Sequence, residues 1–160
     1  MKALQFLAVV LTALALVPGG AHLLAMPNKL ALDETAYFSV QAIYGGWALL
    51  GVVLVAAIAA DLALAVGARR QPAPFRLALA GAVCLAATLV VFFLWTYPAN
   101  QFTANWTAVP DDWAALRAQW EYSHAANALL TFIALCLVML SVLRWQPPTA
   151  RPSAPAAKGR

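Results

Sequence analysis

Four long apolar runs, separated by short stretches rich in Pro, Gly, Asn and charge, dominate the chain. They extend from about Ala3 to Leu24, Ser39 to Val66, Phe75 to Tyr97 and Trp120 to Leu143. Each is long enough to cross a bilayer, because about 20 residues rising about 1.5 Å apiece cover a hydrocarbon core of about 30 Å. Their length and their content of Ala and Leu predict helices, since hydrocarbon offers no partner to an unpaired backbone N–H or C=O. The expected fold class is all-α: a four-helix transmembrane bundle over residues 1–145, with both termini cytoplasmic and a disordered tail over 146–160.

The polar breaks set the expected boundaries. Pro18-Gly19-Gly20 interrupts the first run near its outer end, and Pro27, Asn28 and Asp33 mark the loop that follows. Arg69, Arg70, Pro72 and Pro74 make a tight turn, Pro98 closes the third span, and Asp111 is a cap for a helix starting near Trp113. The tail after Arg144 is rich in Pro, Ala and Ser, a composition that cannot bury a core.

Composition agrees with the pattern. Of 160 residues, 64% are hydrophobic and only 10% charged, too few to clothe a soluble domain of this size. The net charge of +4 does not point to nucleic acid, because the basic residues are scattered beside the apolar runs. Their distribution reads instead as topology. Lys2, Arg69, Arg70, Arg76, Arg144, Arg151, Lys158 and Arg160 fall on one side, and only Lys29 and Arg117 on the other. That imbalance places the amino end, the middle turn and the tail in the cytoplasm. A competing reading takes the first run as a signal peptide cut before His22. The run is long for that purpose, and its apolar character resumes at Leu23 to Met26, so the span is expected to be retained. Cys84 and Cys136 sit inside apolar runs and behave there as small hydrophobes, without a disulfide.

Most in-span polar residues have ordinary explanations. Asp61 is expected to pair with Arg69 or Arg70 or to meet water, and Thr12, Thr88 and Thr131 to bond to a preceding turn. The outer end is different. His22 and His124, the chain's two histidines, share that membrane face, and Arg117, Glu121, His124 and Asn127 follow one another at spacings of four and three. Trp120 stands four residues before His124, and the outer loop adds Asn100, Gln101, Asn105, Trp106 and Trp113. The plain alternative is an aromatic belt of Trp95, Tyr97, Trp106, Trp113, Trp120 and Tyr122, an Arg117–Glu121 surface pair and two histidines satisfied in helix contacts.

Two chemistries are open to this cluster. His22 and His124 could be axial ligands of a haem, or with Glu121 could hold a non-haem iron or copper; the residues do not fix a cofactor or a metal. Alternatively His124 could act as general base on an acidic C–H or O–H of an apolar aromatic substrate. Arg117, Asn105 or Asn127 would then steady the oxyanion.

The stretch from Tyr97 to Asn127 carries Pro98-x-Asn100 after the third span and Leu116-Arg117-x-x-Trp120-x-x-x-His124 opening the fourth. It resembles the small four-helix membrane proteins that include the anthrone oxygenases of fungal polyketide pathways, whose bacterial members are mostly uncharacterised. The resemblance extends over most of residues 1 to about 145. It implies a membrane enzyme that inserts oxygen into an anthrone without a conventional cofactor; the wider expectation is an anthrone-like or quinol-like substrate and an integral protein of a bacterial inner membrane. Asn100, Trp120 and His124 are the implied site positions, with His124 as base. Asn127 departs from the family, where a basic residue often follows that histidine by three.

The partners expected are therefore membrane lipid and a small hydrophobic substrate. The remaining functional alternatives are a haem- or metal-binding electron-transfer subunit and a non-catalytic accessory protein. Gly45, Gly46, Gly51 and the alanines between 56 and 60 would serve a homo-oligomer or close packing within one chain, and the sequence does not choose between them.

Overall fold

The computed structural model describes residues 1–146, and every regular element among them is helical. In chain order these are α1 (Lys2–Leu30), α2 (Glu34–Gln41), α3 (Gly51–Ala68), α4 (Pro72–Val91), α5 (Tyr97–Phe102) and α6 (Trp113–Leu143). Two 3₁₀ turns, Ala42–Tyr44 and Trp47–Leu50, join α2 to α3, and a π turn, Phe92–Thr96, joins α4 to α5. Four stretches are long and apolar enough to cross a membrane: Lys2–Leu30, Trp47–Ala68, Pro72–Phe102 and Trp113–Leu143. They pack in a ring, α1 on α3, α3 on α4, α4 on α6 and α6 on α1.

Three of the spans overrun the expected boundaries. Pro18 and Pro27 both lie inside α1, which runs on to Leu30 instead of breaking at Pro18-Gly19-Gly20. Proline removes a backbone donor, yet an apolar neighbourhood penalises an open backbone still more, so the helix continues through it. Gly19 has a packing role, not a turning one: a Cβ there would lie 3.3 Å from the Cα of Ala128, so α1 and α6 cross closely at this point. Pro98 opens α5 instead of closing the third span, and the π turn before it absorbs the irregularity. The second span is shifted the other way. Ser39 belongs to α2, and the membrane-length run starts only at Trp47. At the start of α6 the N-cap is Asp112, not Asp111, and it makes no side-chain cap bond. Asp33 does cap α2, accepting from the Ala36 N–H at 2.9 Å.

Small residues bring the helices together. Ala8, Ala57, Ala60, Ala65, Ala78, Ala82 and Ala134 are buried, with Leu64, Leu85 and Val138 filling the spaces between. Alanine at a contact lets two backbones approach, and in a membrane such packing replaces the hydrophobic drive available in water. Of the small residues on the second span, Ala57 and Ala60 are used within the chain, while Gly51 and Ala59 stay exposed. Asp61 is fully buried and lies 3.3 Å from the Thr12 hydroxyl; it does not reach Arg69, whose guanidinium donates to the Val66 carbonyl. Cys84 and Cys136 are both free. Gln146, expected in a disordered tail, exchanges two hydrogen bonds with the Gln71 side chain at 2.8 and 2.9 Å; the rest of that expected tail, 147–160, lies outside the described residues.

Helix length decides where polar residues can gather. α1 has 29 residues and α6 has 31. At about 1.5 Å per residue each is about 45 Å long and must outrun a hydrocarbon core of about 30 Å. The surplus of α1 and α6 meets α2, α5 and the 103–112 loop in a platform at the distal end, remote from Met1 and Arg144. Its core is Tyr37, Ala99, Trp106, Leu116 and Trp120.

The close approach of α4 to α6 at Gly81 yields a test. A Cβ on Gly81 would lie 2.8 Å from Cγ2 of Val138 and 3.3 Å from the Ala134 carbonyl oxygen. Gly81→Ala is expected to lose roughly 1–3 kcal/mol by overpacking, lowering the thermal midpoint in detergent, and Val138→Ala in the same chain should restore most of it. An unchanged midpoint for the single variant would mean that α4 and α6 do not approach so closely.

Candidate functional site

α1 and α6 each carry a histidine about 20 residues from the proximal end, and the two rings meet. His22 and His124 stack with centroids 4.1 Å apart and planes inclined by 27°. Around them stand Trp120, 4.9 Å from His22 and 4.2 Å from His124, and Tyr44 and Trp47, 4.3 and 5.5 Å from His22. Tyr44 and Trp47 belong to the strap between α2 and α3, which turns at Gly45-Gly46. Gly46 has φ +83°, a left-handed conformation that glycine adopts without cost.

Beside the histidines lies a buried ion pair. The Lys29 ammonium is 2.8 Å from Oε1 of Glu121, with both side chains almost fully enclosed. The ammonium also sits 3.5 Å from Nδ1 of His22 and faces the rings of Tyr44 and Trp120 at 4.9 and 4.8 Å. An ammonium only donates, so in this contact Nδ1 of His22 accepts and the ring proton is placed on Nε2. The same oxygen of Glu121 takes a second partner. The Tyr37 hydroxyl donates to Oε1 at 2.9 Å, and Gln41 Nε2 donates to the Tyr37 oxygen at 3.1 Å. Burial first, then the charge and hydrogen bond of Glu121, push the Tyr37 hydroxyl far above the ordinary phenol range, so it remains a donor. The second carboxylate oxygen of Glu121 and the amide oxygen of Gln41 are buried without partners.

Asn100 orders the aromatic wall. Its Oδ1 accepts from the indole N–H of Trp106 at 3.1 Å and of Trp120 at 2.9 Å. To reach that position the loop runs left-handed for three residues, Ala104 (φ 47°), Asn105 (φ 55°) and Trp106 (φ 66°). Each such non-glycine residue costs about 1–2 kcal/mol. The conformation is held by Thr103, which caps the Trp106 N–H at 3.1 Å, and by burial of the Trp106 ring.

Of the sequence-predicted residues, the structure brings together His22, His124, Trp120, Glu121 and Asn100. Arg117 is not a partner of Glu121. Its guanidinium donates to the Leu32 carbonyl at 2.8 Å and lies over Trp113 and Tyr37, tying the α1–α2 loop to α6. Asn105 and Gln101 are exposed, and the side-chain oxygen of Asn127 is buried without a partner. Trp95, Tyr97 and Tyr122 are exposed, as a belt would have them; Trp106 and Trp120 are buried. Lys29, Tyr37, Gln41 and Tyr44 were not singled out from the sequence. The available signal was the seven-residue spacing of His22 and Lys29, which puts both on one face of a helix that continues through Pro27.

The stack bears on metal chemistry. Axial ligands of one haem point ring nitrogens at an iron between them, with the macrocycle separating the rings; these rings lie face to face in contact instead. Glu121, the candidate third ligand for a metal, is engaged by Lys29 and Tyr37. No group of three or more His, Cys, Asp or Glu side chains gathers for a metal among the described residues. A groove of about 380 Å³ beside the π turn, lined by Val91, Trp95, Gln119, Tyr122 and Ser123, lies on the face of α6 opposite His124 by helical period.

The chain matches no protein-family model, no curated protein and no solved structure.

The ion pair can be tested by breaking it singly and jointly. Glu121→Gln leaves Lys29 buried without its counter-charge and is expected to cost about 3–5 kcal/mol, whereas Lys29→Met with Glu121→Leu should lose only about 1–3 kcal/mol, for the Tyr37 hydroxyl left unpaired. Thermal unfolding in detergent distinguishes the two. Equal losses for the single and double variants would contradict a buried, mutually dependent pair.

Proposed function

We propose that the protein is an integral membrane oxidoreductase of the anthrone oxygenase-like kind, acting at the distal end of the bundle on a small, flat, lipid-soluble aromatic. The observation that carries this reading is the meeting of the chain's two histidines with the Lys29–Glu121 pair in one aromatic-walled cluster. His124 is the base that removes a proton from an activated C–H. Lys29 takes the oxyanion role first assigned to Arg117, Asn105 or Asn127, because it is the cation that stands beside the imidazoles. A carbanion so formed passes an electron to dioxygen, and the radicals combine. The net change converts a CH₂ to C=O, with one atom of O₂ in the product and the other leaving as water. Tyr44 and Trp47 on the Gly45-Gly46 strap cover His22, and movement of that strap would admit substrate.

Orientation belongs to the same reading. Lys2, Arg69, Arg70, Arg76 and Arg144 on the proximal side, against Lys29 and Arg117 at the distal end, favour a cytoplasmic proximal end, so the site would face outward from a bacterial inner membrane. A second reading, a non-catalytic accessory protein, is favoured by the way Lys29, Glu121, Tyr37 and Gln41 are tied to one another in a buried chain of contacts.

Oxygen uptake by the detergent-purified chain with anthrone-like and quinol-like substrates separates these readings. Turnover is expected, falling by about 10²-fold or more in His124→Ala. Uptake that His124→Ala leaves unchanged would remove the base. A visible haem band lost with His124→Ala would identify an electron-transfer subunit in place of a cofactor-free oxygenase. Reporter fusions at Arg160 and within residues 103–112 should report opposite sides of the membrane.

A further inference from the structure

The platform holds a continuous ladder of oxidisable rings. His124 is 4.2 Å from Trp120, Trp120 is 5.7 Å from Trp106, Trp106 is 5.3 Å from Tyr37, and Tyr37 is 6.4 Å from Trp113, all between centroids. Indoles and phenols give up an electron more readily than other aromatic side chains, and rings in contact pass the vacancy along. Asn100 fixes the indole N–H of both Trp106 and Trp120, and the left-handed run at Ala104 to Trp106 is what places Trp106 between Trp120 and Tyr37.

Tyr37 differs from Trp106 and Trp120 in what its proton faces: their indole N–H groups meet the amide oxygen of Asn100, a poor base, whereas the phenol O–H meets a carboxylate. A phenol that gives up an electron becomes a strong acid, so its oxidation is easy only where a base receives the proton in the same event. Tyr37 is fully buried and donates to a carboxylate at 2.9 Å. Gln41 donates to the same phenol oxygen, which leaves the O–H directed at Glu121. Tyr44, Tyr97 and Tyr122 have no hydrogen bond to a carboxylate among the described residues.

We infer that Tyr37 is a redox-active tyrosine, joined to the histidine pair by an electron path through Trp106 and Trp120, with Glu121 as its proton acceptor. The step balances as follows. A one-electron oxidant, an organic peroxyl radical or a ruthenium(III) tris-bipyridine ion, converts an indole of the ladder to its cation radical. That indole takes one electron from Tyr37 while the phenol proton crosses to Oε1 of Glu121. The products are a neutral indole, a neutral tyrosyl radical and a carboxylic acid, and reduction of the radical returns the proton. Lys29 keeps its charge throughout. The inference goes beyond the proposed oxygenation and does not depend on any substrate.

The test is flash oxidation of the detergent-purified full chain with photogenerated ruthenium(III) tris-bipyridine and persulfate, followed by freeze-trapping and electron paramagnetic resonance. The decisive sample replaces Tyr44, Tyr97 and Tyr122 together by Phe, leaving Tyr37 as the sole tyrosine of the chain's four. A neutral tyrosyl signal is expected there at the intensity of the unaltered protein. In Tyr37→Phe it should be lost and replaced by an indole radical, and in Glu121→Gln it should be lost as well. Absence of a tyrosyl signal from the triple variant, or its full persistence in Tyr37→Phe, overturns the assignment. Persistence in Glu121→Gln overturns the role of the carboxylate.

Discussion

Everything at the distal end depends on one arrangement, a lysine and a glutamate enclosed together between two helices. Stripping water from an ammonium and a carboxylate is expensive, and their attraction offsets that cost only if further partners occupy the remaining positions. Here Tyr37 supplies a hydrogen bond to one carboxylate oxygen, His22 accepts from the ammonium, and two ring faces cover its charge, while the second carboxylate oxygen stays unpartnered. The pair thereby fixes the relative position of α1 and α6, draws α2 down on them, and brings two imidazoles into contact. A core of small apolar residues can join these helices, but without a polar lock many rotations and heights would be nearly equivalent in energy.

The apolar runs made the four spans legible, because length and composition alone determine what hydrocarbon accepts. The convergence of His22 with His124 was legible too, since both lie about one membrane thickness from the proximal end. What escaped was Lys29. Taking Pro27 as the mark of a loop ended the first helix near Leu24 and reduced Lys29 to a charge on the outer side. With the helix continued to Leu30, Lys29 lies two turns beyond His22 on the same face. The same kind of inference misplaced Arg117: four residues from Glu121 on one helix, it was the natural local partner, yet a non-local lysine took the carboxylate. Local spacing names the candidates for a pair, while tertiary packing chooses among them.

Asp61 shows the same limit at the other end. Two arginines follow it closely in sequence, but the helical phase turns Asp61 into the bundle toward Thr12 while Arg69 bonds to its own helix end. Asn100 and Trp120 were legible as members of the outer-end cluster, but not as partners of each other. The structure gives their association a physical content, one amide oxygen bridging two indoles, that no spacing rule would have supplied.

The four spans differ in length, and the difference falls on one side of the ring. The run that starts at Trp47 has 22 residues, against 29 for α1 and 31 each for the other two. Its end, and with it the Gly45-Gly46 strap over His22, therefore has the least apolar length to spare. A thicker bilayer would meet its first mismatch at that point, where a glycine pair bends more easily than a helix. The cover of the histidines would thus be the first part of the molecule to feel a change in the thickness of a surrounding membrane.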